Sequence, residues 1–326
     1  MARISRLELS LFILTMLVAA AFRFAAPDAV PPGPSHDELR MMKLGDLIVG
    51  GERPIHWKIS YSAEPLFMYG LAAVMPPFGS TVFAARLVTR WAGLLLIPLT
   101  YALARRLFGR GVALVTGGVL AVTWWPVFFS RVALRGITLP LLFVPAVYCL
   151  WRGLETGERS PRLGWAALGG ALLGLTWYTF TAARGMFLFL PGYLLYLAVR
   201  RAFPARQWWR VTLLTMGLGV LIAAPFVYEV KVHPGTPETR IGQLNAVIAA
   251  LRDGDPRPFL REAVNTLGLL LPTGDPNWRY NVSGRPTFGL LPGSLALLGL
   301  ATSLRRWRRP AYFLLLLWLG LGLAPS

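Results

Sequence analysis

Negative charge is scarce in this sequence. Asp and Glu together number 15 against 33 Lys plus Arg, which leaves a formal net charge of +18 over 326 residues and a pI near 11.2. Lysine is almost as rare: Lys43, Lys58 and Lys231 are the only three, so the basicity is carried by arginine. Cysteine is reduced to Cys149 inside an apolar run, which excludes a disulfide framework or a thiolate metal cluster and reads as a small buried apolar residue. His36, His56 and His233 complete a histidine inventory too thin for a zinc signature. The last two read as surface residues. No internal repeat recurs along the chain. A surplus of arginine suggests nucleic acid, but such a footprint needs basic residues gathered on one water-facing surface. Here they stand in short blocks between apolar segments, and no nucleic-acid partner is expected.

What the sequence has in quantity is apolar chain. Hydrophobic residues make up 55% and charged residues 15%, with a mean hydropathy of +0.53, well away from the averages of soluble domains. The class is an all-α polytopic membrane protein. Nine segments are long enough, or nearly so, to cross about 30 Å of hydrocarbon as helices. They are Leu7 to Ala26, Val82 to Leu103, Val112 to Phe129, Ile137 to Trp151, Leu163 to Thr179, Met186 to Val199, Val211 to Tyr228, Phe288 to Leu304 and Ala311 to Pro325. The ninth stops with the chain at Ser326, so a longer protein is expected. Residues 1–326 read as one transmembrane domain.

Charge orients these segments. With a cytoplasmic N-terminus, the inner side holds Arg3, Arg6, Arg105, Arg106, Arg110, Arg152, Arg159, Arg162, Arg200, Arg201, Arg206 and Arg210, then Arg305, Arg306, Arg308 and Arg309. The short loops on the other side carry Arg131, Arg135 and Arg184. This asymmetry is the positive-inside rule, and it places the chain in a plasma (inner) membrane with its two long loops, residues 27–81 and 229–287, outside. Nearly all acidic side chains go with those loops; Glu8, Glu155 and Glu158 are the exceptions. A secretory signal competes for the first segment, but about 20 apolar residues is long for a signal core.

The first outer loop has structure of its own. Ser35 followed three residues later by Glu38 is a capping-box pattern, and Leu39, Met42, Leu47 and Ile48 give an apolar face, so Asp37 to Val49 reads as an interfacial helix ended by Gly50-Gly51. Leu66 to Val74 is apolar but too short to span. In the second loop, one helix starts at Thr236-Pro237-Glu238 with Ile241, Leu244, Ile248 and Leu251 on one face, and another runs from Pro258 to Leu271.

The adjacent carboxylates Asp37 and Glu38 allow two readings. Glu38 is a cap partner and Asp37 a helix charge favoured by the dipole, or the cap holds Asp37 ionised at the membrane surface to take a proton from an acceptor hydroxyl. Spacing alone favours the first. Arg131, Arg135 and Arg184 lie where a lipid phosphate would sit, and guanidinium suits bidentate phosphate contact in a low dielectric. Arg86 and Arg90 are weaker candidates for that work. Tyr178, Thr179 and Thr181 either line a donor cavity or satisfy helix contacts.

The order of parts resembles glycosyltransferase family 39, of the GT-C type, which includes protein O-mannosyltransferases and the lipid A aminoarabinose transferase. The resemblance rests on Asp37-Glu38 just after the first span, Ala63-Glu64-Pro65, Arg86-Leu87, and the span ending Ala104-Arg105-Arg106-Leu107-Phe108-Gly109. It rests also on Phe129-Ser130-Arg131 with Arg135, Tyr178-Thr179 with Thr181-Ala182-Ala183-Arg184, and Gly274-Asp275-Pro276-Asn277 through Gly284-Arg285-Pro286. It covers essentially the whole chain and is closest to bacterial phospholipid-carrier-dependent glycosyltransferases. It implies a GT-C helix bundle that transfers a sugar from a polyprenyl-phosphate donor to an acceptor hydroxyl on a protein, lipid or glycan at the outer face. Asp37 matches the family's general base with Glu38 beside it. Glu64 matches a second loop carboxylate that binds donor head group or metal, although the lysine that follows it in the lipid A transferase is missing here. The resemblance leaves a cofactor open, with a divalent metal as the candidate and Glu64 and His36 as its weak candidate ligands. The rival reading is a transporter or flippase of a lipid-linked molecule, which usually shows internal repeats and broken helices with midplane polar residues.

Overall fold

A computed structural model describes residues 4–27, 29–58, 63–155, 163–233, 249–270, 274 and 281–322. Its regular secondary structure in these residues is helical, apart from one isolated bridge between Trp57 and Ala63. The chain is a multi-pass membrane protein, divided into two compact units, residues 1–180 with 206–233, and residues 181–205 with 234–326.

The first unit is built around α4 (Val82–Phe108), which packs on α1 (Arg6–Phe24), α2 (His36–Val49), α3 (Leu66–Phe78), α5 (Arg110–Val122), α6 (Trp124–Arg131) and α7 (Thr138–Leu154). Thr81 caps its start through the Ala84 amide, and Gly109 ends it with φ +90°, a conformation an L side chain resists. Helix α7 packs in turn on α8 (Leu163–Leu175). Against α8 lies α10 (Ala205–Val232), so close that a Cβ on Gly170 would stand 2.5 Å from the Thr215 carbonyl and one on Gly174 2.7 Å from that of Gly219. Without bulk at these positions, helices meet backbone to backbone, the usual device where lipid supplies no hydrophobic drive. The Thr215 hydroxyl donates to the Ala166 carbonyl (3.1 Å), and the Gln207 amide to the Gly153 and Leu154 carbonyls. Leu7, Leu14, Leu17 and Phe22 of α1 are exposed, a surface that belongs in hydrocarbon.

Ion pairs staple one end of the unit. Glu8 accepts from Tyr101 and, at 2.6 Å, from Arg105, while Glu155 takes Arg106. The opposite end carries the candidate site.

The second unit comprises α9 (Ala183–Val199), α11 (Arg257–Leu270), α12 (Leu290–Arg305) and α13 (Pro310–Gly322). Its α9 and α13 are zipped by aromatic rings, with Tyr196 stacked on Phe313 at 3.7 Å and the Tyr193 hydroxyl donating to the Pro310 carbonyl.

Every one of the nine expected segments contains a helix, and they differ in length and apolarity as candidate spans. Among the described residues four helices suffice, α1, α4, residues 135–154 and α10, or five if α5 and α6 are one broken span bent by 53° at Thr123. Helices α9, α12 and α13 are shorter apolar helices. The sequence shows hydrophobicity but not where a helix breaks. The expected helix from Thr236 lies outside the described residues up to residue 248, whereas the one expected at Pro258 to Leu271 is α11.

Candidate functional site

The site begins with the cap on α2. Ser35 has extended backbone, its hydroxyl accepts from the Glu38 amide, and the Glu38 carboxylate accepts from the Ser35 amide at 2.8 Å, so both halves of the capping box form. Glu38 does more than cap. Its carboxylate is buried and takes a two-point contact from Arg86 of α4 (Nε 2.8 Å, Nη2 3.1 Å), and it also accepts the Ala133 amide at 2.9 Å. Burial pushes the Glu38 pKa up, but Arg86 and the two backbone amides outweigh it and hold the carboxyl below its ordinary range. The buried guanidinium of Arg86 donates further to the Pro31 and Gly33 carbonyls. The loop before α2 is thereby tied to α4.

Helix α2 keeps its place by packing. Met41, Met42, Leu44 and Ile48 bury against Phe67, Met68, Leu71 and Met75 of α3, with Trp57, Ala85 and Ala133 completing the cluster. Of the expected apolar face, Met42 and Ile48 are buried and Leu47 partly so, whereas Leu39 is exposed and Met41 and Leu44 are buried in addition. Both pack against α3. Ser80 adds a hydrogen bond to Asp46 at 2.9 Å. Asp37 sits on the first turn, partly exposed, beside the locked Glu38.

The link between α6 and α7 lies across this loop. Val132 and Leu134 are extended (φ −114° and −116°), so Arg131, Ala133 and Arg135 alternate at the period of a strand. All three engage the first long loop or its approach. Arg131 donates to the Phe22, Ala25, Ala26 and Val30 carbonyls at 2.7–3.2 Å. Ala133 reaches Glu38. Arg135 stands 3.3 Å from the buried Glu64 and lies over the Phe180 ring at 5.5 Å. Glu64 is positioned by the Trp57–Ala63 bridge on one side and Pro65, the start of α3, on the other.

The structure thus brings Glu38, Glu64, Arg131 and Arg135 onto one end of one unit and sets Asp37 beside them. Arg184 belongs to the second unit. The Arg131 donors are committed to backbone carbonyls, which leaves Arg135 as the arginine of this group facing a carboxylate through one edge only. Arg90 donates to the Pro27 carbonyl at 2.7 Å. The Tyr178 hydroxyl donates to the Ile222 carbonyl, and Thr179 to that of Thr176, both of them helix contacts.

Sequence reasoning missed two residues here. Arg23 is buried where α5 breaks: it donates to the Ala121 and Leu120 carbonyls (3.1 and 3.0 Å), to Ala19, and to the Ser130 hydroxyl of α6. Those are carbonyls that a helix end leaves without partners. His56, read as surface, is buried with its ring edge-on to Phe226 at 5.5 Å. Neither position has a local signal, since each depends on partners far along the chain.

A divalent metal does not fit the two ligands expected for it. Among the described residues no three His, Cys, Asp or Glu side chains gather; His36 is exposed at the positive end of α2, and Glu64 faces a guanidinium. Most of the Gly274–Asn277 motif and the polar run after it lies outside the described residues. At Gly274 itself (φ +59°) a Cβ would stand 2.1 Å from the Arg285 carbonyl, so the two glycine-bearing ends of that motif touch.

No family model matches the chain, and neither does any curated protein. Solved structures do. The oligosaccharyltransferase of Archaeoglobus fulgidus, in complex with Zn and sulfate, is similar with a TM-score of 0.67 and 16% identity over 94% of this chain and 45% of its own. ArnT from Cupriavidus metallidurans in the apo state gives 0.60 and 19% over 96% and 52%, and the same protein bound to undecaprenyl phosphate gives 0.57 and 19% over 96% and 53%. The chain spans about half the length of the solved proteins it matches. Both are GT-C membrane proteins, and the fold of this chain is of the GT-C type.

Proposed function

We propose that this chain belongs to a membrane glycosyltransferase, of the family 39 kind, that moves a sugar from a polyprenyl-phosphate carrier to an acceptor hydroxyl at the extracytoplasmic face. The observation that carries the reading is the Glu38–Arg86–Ala133 knot. It fixes the first turn of α2 and so fixes Asp37, beside a second carboxylate–guanidinium pair, the buried Glu64 with the half-buried Arg135.

In this reading Asp37 accepts the proton of the acceptor hydroxyl as that oxygen bonds to the anomeric carbon. The bond from that carbon to the phosphate oxygen breaks, and polyprenyl phosphate leaves with the electron pair. Charge grows on the phosphate as it leaves, so a guanidinium at the membrane surface stabilises the transition state more than the bound donor. Arg135 is the first candidate and Arg184 the second; Arg131 holds the α6–α7 link in place. Glu64 orients Arg135. Glu38 is a positioning residue, since Arg86 and two amides already occupy its oxygens. The structural neighbour bound to undecaprenyl phosphate supports a lipid-phosphate donor, and the neighbour tethered with an acceptor peptide supports an acceptor at the same fold.

The experiment uses the full-length protein in nanodiscs with a panel of radiolabelled polyprenyl-phosphate sugars and reads free lipid phosphate. Wild type turns over one donor, and Asp37→Asn, which keeps shape and helix, loses a factor of roughly 10² to 10⁴. Equal turnover by both would remove Asp37 from the chemistry. A flippase of a lipid-linked molecule would move its cargo undiminished in the same variant.

A further inference from the structure

One charged surface plays no part in the proposed transfer. In the second unit, α12 ends at Arg305 and α13 begins at Pro310, and the turn between them reads Arg305-Arg306-Trp307-Arg308-Arg309, every residue exposed. The end of α9 meets this turn. The Tyr196 hydroxyl donates to the Trp307 carbonyl at 3.1 Å and its ring stacks on Phe313, which brings the exposed Arg200 and Arg201 to the same place.

Six arginines therefore share one end of this unit. Neither residues 181–205 nor residues 281–326 contain a single Asp or Glu. The guanidinium groups are held apart by aromatic rings: Arg306 lies over Tyr312 at 5.8 Å and donates to its hydroxyl, and Arg308 lies over Trp307 at 5.7 Å. The N-terminal end of α13 faces the same turn, and the sign of its dipole favours an anion. Below it the hairpin is apolar and outward-facing, with Leu291, Leu297, Leu298 and Leu304 exposed. Such leucines require hydrocarbon, so the arginine turn lies at headgroup depth.

We infer that this turn, with the end of α9, is a docking surface for the phosphate headgroups of anionic lipids. A charge-segregation rule asks only for positive residues on one side of a membrane. Here the fold gathers six from two distant stretches that contain no Asp or Glu, backs two of them with aromatic rings, and leaves guanidinium edges turned outward for phosphate. Nucleic acid carries the same phosphate chemistry, but the exposed leucines beneath fix the surface against a bilayer.

The full chain, purified in neutral detergent from membranes holding equal phosphatidylglycerol and phosphatidylcholine, is assayed for retained lipid by mass spectrometry. Wild type is expected to be enriched in phosphatidylglycerol. Replacing Arg305, Arg306, Arg308 and Arg309 by Gln lowers the enrichment ratio about tenfold or more, and replacing all four by Lys, which preserves charge and insertion, keeps most of it. Absence of enrichment in wild type overturns the inference whatever the variants do. So does enrichment that survives the Gln variant, displacement of the lipid by inorganic phosphate alone, or binding of a short RNA without lipid enrichment. None of these readouts depends on glycosyl transfer.

Discussion

Glu38→Gln tests the frame of the site. The side chain keeps its length and one acceptor oxygen, but loses the charge that faces Arg86 across 2.8 and 3.1 Å. Both partners of this pair are buried, so the variant leaves a guanidinium without its counter-ion, a situation that costs about 3–5 kcal/mol in buried pairs. The Pro31 and Gly33 carbonyls still accept from Arg86, which argues for the lower part of that range. The capping box adds about 1 kcal/mol when the Gln amide cannot satisfy the Ser35 and Ala133 amides together. The sum is of order 4 kcal/mol, or a fall in Tm on the order of ten degrees in detergent. A cycle with Arg86→Gln isolates the pair: the double variant loses less than the two single losses added, by about 1–3 kcal/mol. If Glu38→Gln moves Tm by no more than a surface substitution, about 0.5 kcal/mol, or if the two losses add, then the knot does not hold α2 and the reasoning fails.

Further expectations follow from the same geometry. Because the Glu38 carboxyl is held below its ordinary range, its contribution to stability is complete above the unfolded carboxyl pKa, about 4.3, and is lost as pH falls through the folded value; Tm in wild type therefore drops on acidification below about pH 4, and Glu38→Gln flattens that arm. Arg135→Lys keeps charge but loses the fork that serves Glu64 and a phosphate together, so donor turnover falls by about tenfold or more with Tm nearly unchanged. Gly174→Val places bulk where a Cβ already stands 2.7 Å from the Gly219 carbonyl and 2.8 Å from Ile222; it separates α8 from α10 and costs about 1–3 kcal/mol by thermal unfolding.

Much of this fold was readable from local pattern. The Ser35–Glu38 cap needs only an interval of three residues, and hydrophobic runs locate the helices. The acid pair and Arg135 could be picked out for position alone. What stayed hidden depends on chain segments far apart. Glu38 and Arg86 are 48 residues apart, so the anchoring role of Arg86 was invisible beside its weaker standing as a phosphate contact. The Arg131 guanidinium reads as a free cation until its carbonyl partners about a hundred residues upstream are seen. Leu39 fits an apolar stripe by period, yet the packing on α3 selects Met41 and Leu44 instead. Hydropathy also cannot report a break at Thr123, because the two halves together are apolar enough to read as one span.

That break has a geometric consequence. Helix α6 has 8 residues and rises about 12 Å. Bent by 53° from α5, it carries its far end roughly 10 Å sideways, about the width of one helix. A straight continuation would stand Ser130 and Arg131 above α5. The bend instead makes α6 a bracket that hands the next link to the neighbouring loop, and Arg23 is the pin in its elbow, filling the carbonyls the bend exposes. A replacement at Arg23 would therefore be felt at Glu38 and Glu64, neither of which it touches.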